Sequence, residues 1–469
     1  MNKYSKLANN TVIFAISTFS SKLMVFLLMP MYTRLLSTAD YGVMDIIVNT
    51  CNLLIPLVYV SIHEAVIRFA LDKTVRKKDV FTVGINTCLK GFLIFLPAVF
   101  LLKINTMLSD YAWLIYLYIV SACLRSVCCQ FTRGIGLIKL YATDGIIATL
   151  SVLVFNLIFM LKMHMGVKGY VLSVIMSNFL SVMLLFVFGH LNKYLSIGSE
   201  SKKLKKQMFR YSIPLIPTTI FWWIMNVSDR YIVNYYQGAD VTGIYSAAYK
   251  IPTIITLLSS IFAQAWQLSA ITEYEDKEKD SFYSDIFGYL QAVTFIAASG
   301  IIMLVKPFTM ILVEKSYYNA YNYTPILVFA VIFSCFSTFF SSFYMASKKN
   351  NMSLVTTFVG ATLNIVLNFV FIPKMGGKGA ALATLLSYFA VFVFRVIDTR
   401  RFVKLKINII NMILNIAAIA LQTAVTVTGV NHNWILQIML CIFVVMLNLK
   451  VVIFGLLQFI TMRKERKIK

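Results

Sequence analysis

The amino-acid sequence predicts an all-α polytopic membrane protein of about 14 transmembrane helices, built as two parallel six-helix lobes followed by a C-terminal helix pair. Composition is the first reason: 59% of residues are hydrophobic and only 13% charged, whereas soluble domains carry about 25% charged residues. Mean hydropathy is +0.78. The second is a succession of apolar runs of about 20 residues, enough to cross a bilayer core at about 1.5 Å per residue. The third is an internal repeat. Met165-Gly166-Val167-Lys168-Gly169-Tyr170-Val171-Leu172 returns about 210 residues later as Met375-Gly376-Gly377-Lys378-Gly379-Ala380-Ala381-Leu382.

The repeat holds its register on both sides. Ser177 and Phe179 match Ser387 and Phe389, and Leu153, Leu157 and Phe159 match Leu363, Leu367 and Phe369. In each copy an apolar run ends, a short Gly/Lys turn reverses the chain, and another apolar run begins. A duplicated helix-turn-helix in so apolar a chain predicts two related membrane lobes, as in many transporters. An even number of spans per lobe makes the duplication parallel, about an axis along the membrane normal.

The first lobe (1–190) is expected to hold spans Ala8–Met31, Val43–Val66, Phe81–Leu102, Tyr111–Phe131, Gly145–Leu161 and Gly169–Phe188. The first of these is not expected to be a cleavable signal peptide, being long, interrupted by Lys22 and without a small-residue cleavage site before Met31. A basic linker (191–211) carries Lys202, Lys203, Lys205 and Lys206 and suits an anionic leaflet. The second lobe (212–400) holds Ile213–Tyr235, Ile244–Ile271, Ile286–Val305, Pro325–Ala346, Leu354–Ile372 and Ala380–Ile397. Residues 401–469 add Ile407–Thr428, Ile435–Ile460 and a basic tail.

The net charge of +24 would suggest nucleic acid in a soluble protein. Here the basic residues lie between apolar runs, so the expected partners are membrane lipids and not nucleic acid. With the N-terminus inside, alternate loops carry roughly 28 Lys and Arg against about 9 on the other side, which predicts cytoplasmic termini. The acidic stretch 273–280 reads as a solvated loop. Seven cysteines fall in apolar runs without ligand spacing, and four histidines are scattered, so neither metal nor cofactor is expected.

Several stretches together resemble one family. Tyr32-Thr33-Arg34-Leu35-Leu36-Ser37-Thr38-Ala39-Asp40-Tyr41-Gly42 resembles its first outer loop, and Ser212-Ile213-Pro214-Leu215-Ile216-Pro217 the opening of its seventh helix. Asp229-Arg230-Tyr231-Ile232, followed by Gly243-Ile244-Tyr245-Ser246-Ala247-Ala248-Tyr249-Lys250, resembles its seventh-to-eighth hairpin. The chain is thus similar to the Wzx-type flippases, the polysaccharide-transporter branch of the multidrug/oligosaccharidyl-lipid/polysaccharide exporter superfamily. The resemblance implies a V-shaped pair of lobes around a central cavity. It also implies translocation of undecaprenyl-diphosphate-linked oligosaccharide to the outer leaflet of a bacterial plasma membrane, beside glycan polymerase or ligase machinery.

Such a cargo calls for cations within the membrane, a polar lumen and a lateral opening to lipid. Lys22, Lys90, Arg125, Lys250, Arg395 and Lys450 lie within spans, while Asp45, Glu64, Asp144 and Asp229 lie toward span ends. Cations without nearby acids suggest that the counter-ion arrives with the substrate. Lys22 and Lys250 each sit roughly 10–12 Å below the outer surface and would face one cavity. Lys90 falls near the midplane, and Arg68 stands with Arg133 at the inner mouth, where Arg suits bidentate phosphate contact. Arg125, Arg395 and Lys450 lie deeper, where long stems reach the headgroups. The diphosphate candidates are therefore Lys22, Lys250, Lys90, Arg125 and Arg68, each with a second reading as a snorkelling or packing cation.

Trp222, Trp223, Asn226, Gln264 and Gln267, with Trp266, put polar and aromatic groups on adjacent spans. They suit sugar contact or ordinary interhelical packing. Asp229-Arg230 reads as a local pair at an outer end. Pro30, Pro56, Pro214, Pro217 and Pro252 interrupt helices one, two, seven and eight, as a gating hinge or a passive kink would. Two rival functions remain. A cation-coupled drug exporter of the same fold favours acidic residues in its lumen, whereas this lumen reads as cationic. A membrane glycan polymerase needs catalytic groups on a sizeable polar loop, and the outer loops here are short, so no enzyme is expected.

Overall fold

The structure is a computed structural model that describes residues 28–468 apart from 73, 105–106, 197–200, 273–278, 348–349 and 429–433. The expected first span lies outside the described residues but for its last few, and Lys22 lies outside them entirely. The described chain divides into two compact units, Met31–Trp223 and the residues from Ile224 onward, and residues 28–30, at the start of the first helix, group with the second of these. Ten described helices are long and apolar enough to cross a membrane, or twelve when each of two bent pairs counts as one span.

The N-terminal unit contains α1 (Met29–Leu35), α2 (Thr38–Val58), α3 (Ile62–Leu71), α4 (Lys77–Phe95), α5 (Ala98–Ile104), α6 (Ala112–Gly134), α7 (Ile138–Asn156), α8 (Gly166–Phe188) and α9 (Lys202–Ser212). Its middle is α6, which packs against α2, α3, α4, α7 and α8. Cys123, Val127, Cys128 and Phe131 are fully buried there, and Phe131 meets Phe81 with ring centroids 4.6 Å apart. The thiols act as small apolar side chains. α10 (Leu215–Ala248) crosses the boundary between the units.

Two spans are less regular than their apolar runs suggest. The expected span Val43–Val66 is broken between α2 and α3, where Val60 (φ 56°) and Ser61 (φ 48°) are left-handed. That conformation is costly for a β-branched valine. Pro56 removes a donor just before the break, and α4 closes on it: a Cβ on Gly91 would lie 2.0 Å from the Val58 carbonyl oxygen. The third span bends by 44° between α4 and α5, around Leu96 and Pro97.

The C-terminal unit contains the rest of α10, α11 (Thr253–Thr272), α12 (Lys279–Met303), α13 (Val305–Leu312), α14 (Thr324–Ala346), α15 (Asn350–Met375), α16 (Gly377–Thr399), α17 (Ile409–Thr428) and α18 (Trp434–Ile468). Spans seven and eight meet at Gly238, whose φ of 80° and ψ of 177° interrupt α10. α14 is the core helix. Its Phe336, Phe339, Phe340 and Phe343 pack with Trp266, Phe287 and Phe392. An amide ladder ties the last two helices on: Asn448 donates to Asn415 at 2.7 Å, Asn415 to Asn411 at 2.8 Å, and Ser299 of α12 to Gln422 at 2.9 Å. Such side-chain bonds hold helices together where lipid offers no hydrophobic drive.

The repeated Gly/Lys turn now has a physical basis. Gly166 (φ 54°) and Gly376 (φ 57°) take left-handed conformations. Gly169 and Gly379 let the turn close on the preceding helix. A Cβ at Gly169 would lie 3.0 Å from the Phe159 carbonyl oxygen, and one at Gly379 only 2.4 Å from that of Phe371. Gly379→Ala is therefore expected to lower thermal stability in detergent by about 1–3 kcal/mol, and Gly169→Ala by roughly half as much. Equal losses would mean that backbone approach is not what selects glycine.

Candidate functional site

Each unit holds a guanidinium inside a three-helix cluster. In the N-terminal unit the cluster is α6, α7 and α8. Arg125 of α6 donates from Nε to Ser181 Oγ at 2.9 Å and from Nη1 to Asn178 Oδ1 at 3.5 Å, both on α8. Its Nη2 meets Asp144 Oδ2 of α7 at 3.4 Å. Ser181 donates to the other carboxylate oxygen of Asp144, Cys129 donates to Oδ2 at 3.3 Å, and Asn178 donates to Ser121 at 3.2 Å. The side chain of Asp144 is 2% exposed and that of Arg125 29%. The acid is therefore locked in protein while the cation keeps an open side. This corrects the expectation of cations without acids: Asp144 neutralises Arg125.

In the C-terminal unit the corresponding cluster is α14, α15 and α16. Arg395 of α16 is fully buried. It donates to Thr356 Oγ1 at 3.0 Å, Thr357 Oγ1 at 3.1 Å, the Ser337 carbonyl at 2.8 Å and the Ser353 carbonyl at 3.5 Å. These acceptors are neutral and stand on α14 and α15. The expectation that Arg395 snorkels to the headgroups is overturned, because its stem and head are both enclosed by protein. At the repeat offset, Arg395 stands where the first copy has Leu185, and Asp144 where the second copy has Leu354. The duplicated frame is shared; its charges are not.

Asp229 and Arg230 form a second buried centre in the C-terminal unit, not a pair at an exposed helix end. Asp229 Oδ2 accepts from Tyr245 at 2.6 Å and Thr384 at 3.3 Å, and Oδ1 from the Arg230 amide at 2.9 Å. The Arg230 guanidinium lies 3.7 Å from Oδ1, donates to the Asn226 carbonyl at 2.5 Å and stacks 4.2 Å over Tyr249. Beside it, Tyr388 donates to Asn226 Oδ1 at 2.6 Å, Ser228 to Asn364 at 3.2 Å, and Asn368 to Asn364 at 2.9 Å. Asn364 and Asn368 lie four residues apart on one face of α15, a polar stripe readable from the sequence. Tyr245 returns from beyond the Gly238 interruption of α10 and Thr384 and Tyr388 come from α16, and nothing in their spacing announces them.

The remaining candidates divide as follows. Arg68 on α3 and Lys90 on α4 are exposed, and Lys250 is half-buried in the break between α10 and α11. Lys450 is exposed on α18. Trp223 gives its indole N–H to the Asn49 carbonyl of α2 at 2.9 Å, so its polar edge ties two helices; Trp222 beside it is half-buried. Gln267 is half-buried, and the side chain of Gln264 is outside the described residues. Trp266 is no sugar platform. It is fully buried, stacked 4.4 Å from Phe339, with its N–H on the Phe339 carbonyl at 3.3 Å.

A helical bundle of this kind, with ten described helices long and apolar enough to cross a bilayer and charged side chains held between them, defines a multi-pass membrane protein. Among solved structures the fold is similar to the lipid II flippase MurJ in an inward closed conformation, with a TM-score of 0.67 and 15% identity over 95% of this chain and 100% of that one. It is also similar to an inward-facing multidrug resistance MATE family transporter of the MOP superfamily, with a TM-score of 0.61 and 14% identity over 85% of this chain and 95% of that one. Among curated proteins, an uncharacterized membrane protein of Methanocaldococcus jannaschii is 24% identical over 56% of this chain and 54% of its own length. The probable multidrug resistance protein NorM of Bacillus anthracis is 26% identical over 43% of this chain and 47% of its own. The chain thus spans about half the length of these two relatives. Residues 7–267 match the polysaccharide biosynthesis protein family. The chain belongs to that family.

Proposed function

We propose that the protein is a flippase for undecaprenyl-diphosphate-linked oligosaccharide, carrying it from the cytoplasmic to the outer leaflet of a bacterial plasma membrane for surface polysaccharide synthesis. The family match over residues 7–267 carries this reading. A diphosphate crossing a bilayer needs cations held in a water-poor site. Arg125 suits that need, since Asp144, Ser181 and Asn178 fix its position while one side stays open. Lys22 and Lys250 are the proposed partners nearer the outer surface, with Lys90 and Arg68 along the way in. The two lobes would work by alternating access, specific binding favouring one state over the other. Both termini are proposed to be cytoplasmic, and no covalent step is required.

A cation-coupled drug exporter is the second reading. The resemblance to NorM and the buried carboxylates of Asp45, Asp144 and Asp229 favour it. Cells lacking the protein separate the two. The flippase reading expects lipid-linked repeat units to accumulate on the cytoplasmic face, with drug susceptibility unchanged. Increased susceptibility to cationic drugs with normal glycan export would favour the exporter.

A further inference from the structure

Residues 202–212 read KKLKKQMFRYS, five cations and no acid, and folding sorts them. Ser201 caps α9 by accepting the Leu204 amide at 3.3 Å. Leu204 and Met208, one turn apart, are buried, whereas Lys202, Lys203, Lys206 and Arg210 are exposed. The buried stripe lies where α9 packs along α3 and touches α4. Tyr211 there meets the ring of Phe69 edge-on, with centroids 6.4 Å apart. The segment is thus a docked helix. An interfacial amphipathic helix inserts its apolar face into lipid; α9 has placed that face on protein and presents charge.

Its place along the membrane axis is set by the chain. Ile213 and Pro214 alone separate α9 from α10, a reach of at most about 10 Å. Exposed apolar Leu71 and Phe188 end α3 and α8, and exposed Ile213 follows α9 directly. Arg68 on α3 and Lys78 on α4 are exposed too. The acids nearby are engaged: Asp79 pairs with Arg76 at 2.9 Å, and Asp72 accepts from Thr74 at 2.7 Å. Among the described residues, no carboxylate pairs with Lys202, Lys203, Lys206 or Arg210.

We propose that the exposed face of α9 is a preformed site for anionic phospholipid headgroups. Lys202, Lys203, Lys206 and Arg210 hold leaflet phosphates, while Leu204 and Met208 keep the helix on α3. Basic clusters of this size immediately beside a membrane helix attract anionic lipid by charge. Compact, mobile ammonium groups suit a fluid headgroup layer better than one fixed ligand. In the proposed orientation this is the cytoplasmic leaflet. The inference concerns bulk lipid and stands whether or not the cargo is a glycan.

The test uses the full-length protein in nanodiscs of phosphatidylglycerol and phosphatidylcholine, with co-purifying lipid counted by native mass spectrometry. The comparison is wild type against K202Q/K203Q/K206Q/R210Q. A K202R/K203R/K206R variant keeps the charge, and melting temperatures confirm that all three fold. Wild type and the arginine variant should retain phosphatidylglycerol preferentially, by roughly fivefold over the glutamine variant at low salt. The difference should collapse in about 0.5 M salt. Equal retention by wild type and the glutamine variant overturns the proposal. So does a glutamine variant that keeps its phosphatidylglycerol but no longer binds farnesyl diphosphate, since the face would then read a prenyl diphosphate and not bulk lipid.

Discussion

Replacing Arg395 by alanine is expected to cost the C-terminal unit about 2–4 kcal/mol, summed from several interhelical hydrogen bonds and the cavity left behind. The guanidinium donates to α14 and α15 from α16, so its loss takes one donor at once from the Ser337 carbonyl and from the hydroxyl oxygens of Thr356 and Thr357, which keep only their bonds to the Ser353 carbonyl. In a heat-denaturation assay in detergent this should appear as a drop of roughly 5–10 °C. Arg395→Lys should recover only part of it, because one ammonium cannot span the fork. If both variants melt like wild type, the cluster is not holding the three helices.

The second large effect concerns Arg125. Arg125→Gln leaves the carboxylate of Asp144 buried without its counter-charge, and loss of one partner of a buried pair typically costs about 3–5 kcal/mol. The double variant Arg125→Gln/Asp144→Asn should recover much of that stability, with a coupling of about 1–3 kcal/mol. Transport separates structure from function. The double variant should be stable but inactive, having lost its cation. Asp144→Asn alone should retain transport, since the guanidinium keeps Ser181 and Asn178 and gains freedom to meet an anion. A double variant that transports normally would assign Arg125 to packing alone.

The helices and their order were readable because each needed only a long apolar run, and the turns because glycine marked both copies of the repeat. Arg125, Arg395 and Asp229 were visible as charges in apolar surroundings, but their partners were not. Asp144 lies 19 residues from Arg125, and Thr384 lies 155 from Asp229, so only packing brings them together. Trp266 shows the converse. Its spacing with polar neighbours suited a lumen, yet the aromatic side chains of α14 enclose it. The break at Val60-Ser61 defies local preference, and it falls where the backbone of α4 at Gly91 packs against the Val58 carbonyl, a contact no local pattern announces.

The most direct test of the central claim is reconstitution. Purified protein in vesicles containing a fluorescent undecaprenyl-diphosphate oligosaccharide would be assayed for leaflet exchange by quenching from outside. The account predicts exchange that depends on the protein and falls in Arg125→Gln/Asp144→Asn. Vesicles that move a cationic drug against an ion gradient but leave the labelled glycolipid in its original leaflet would contradict it.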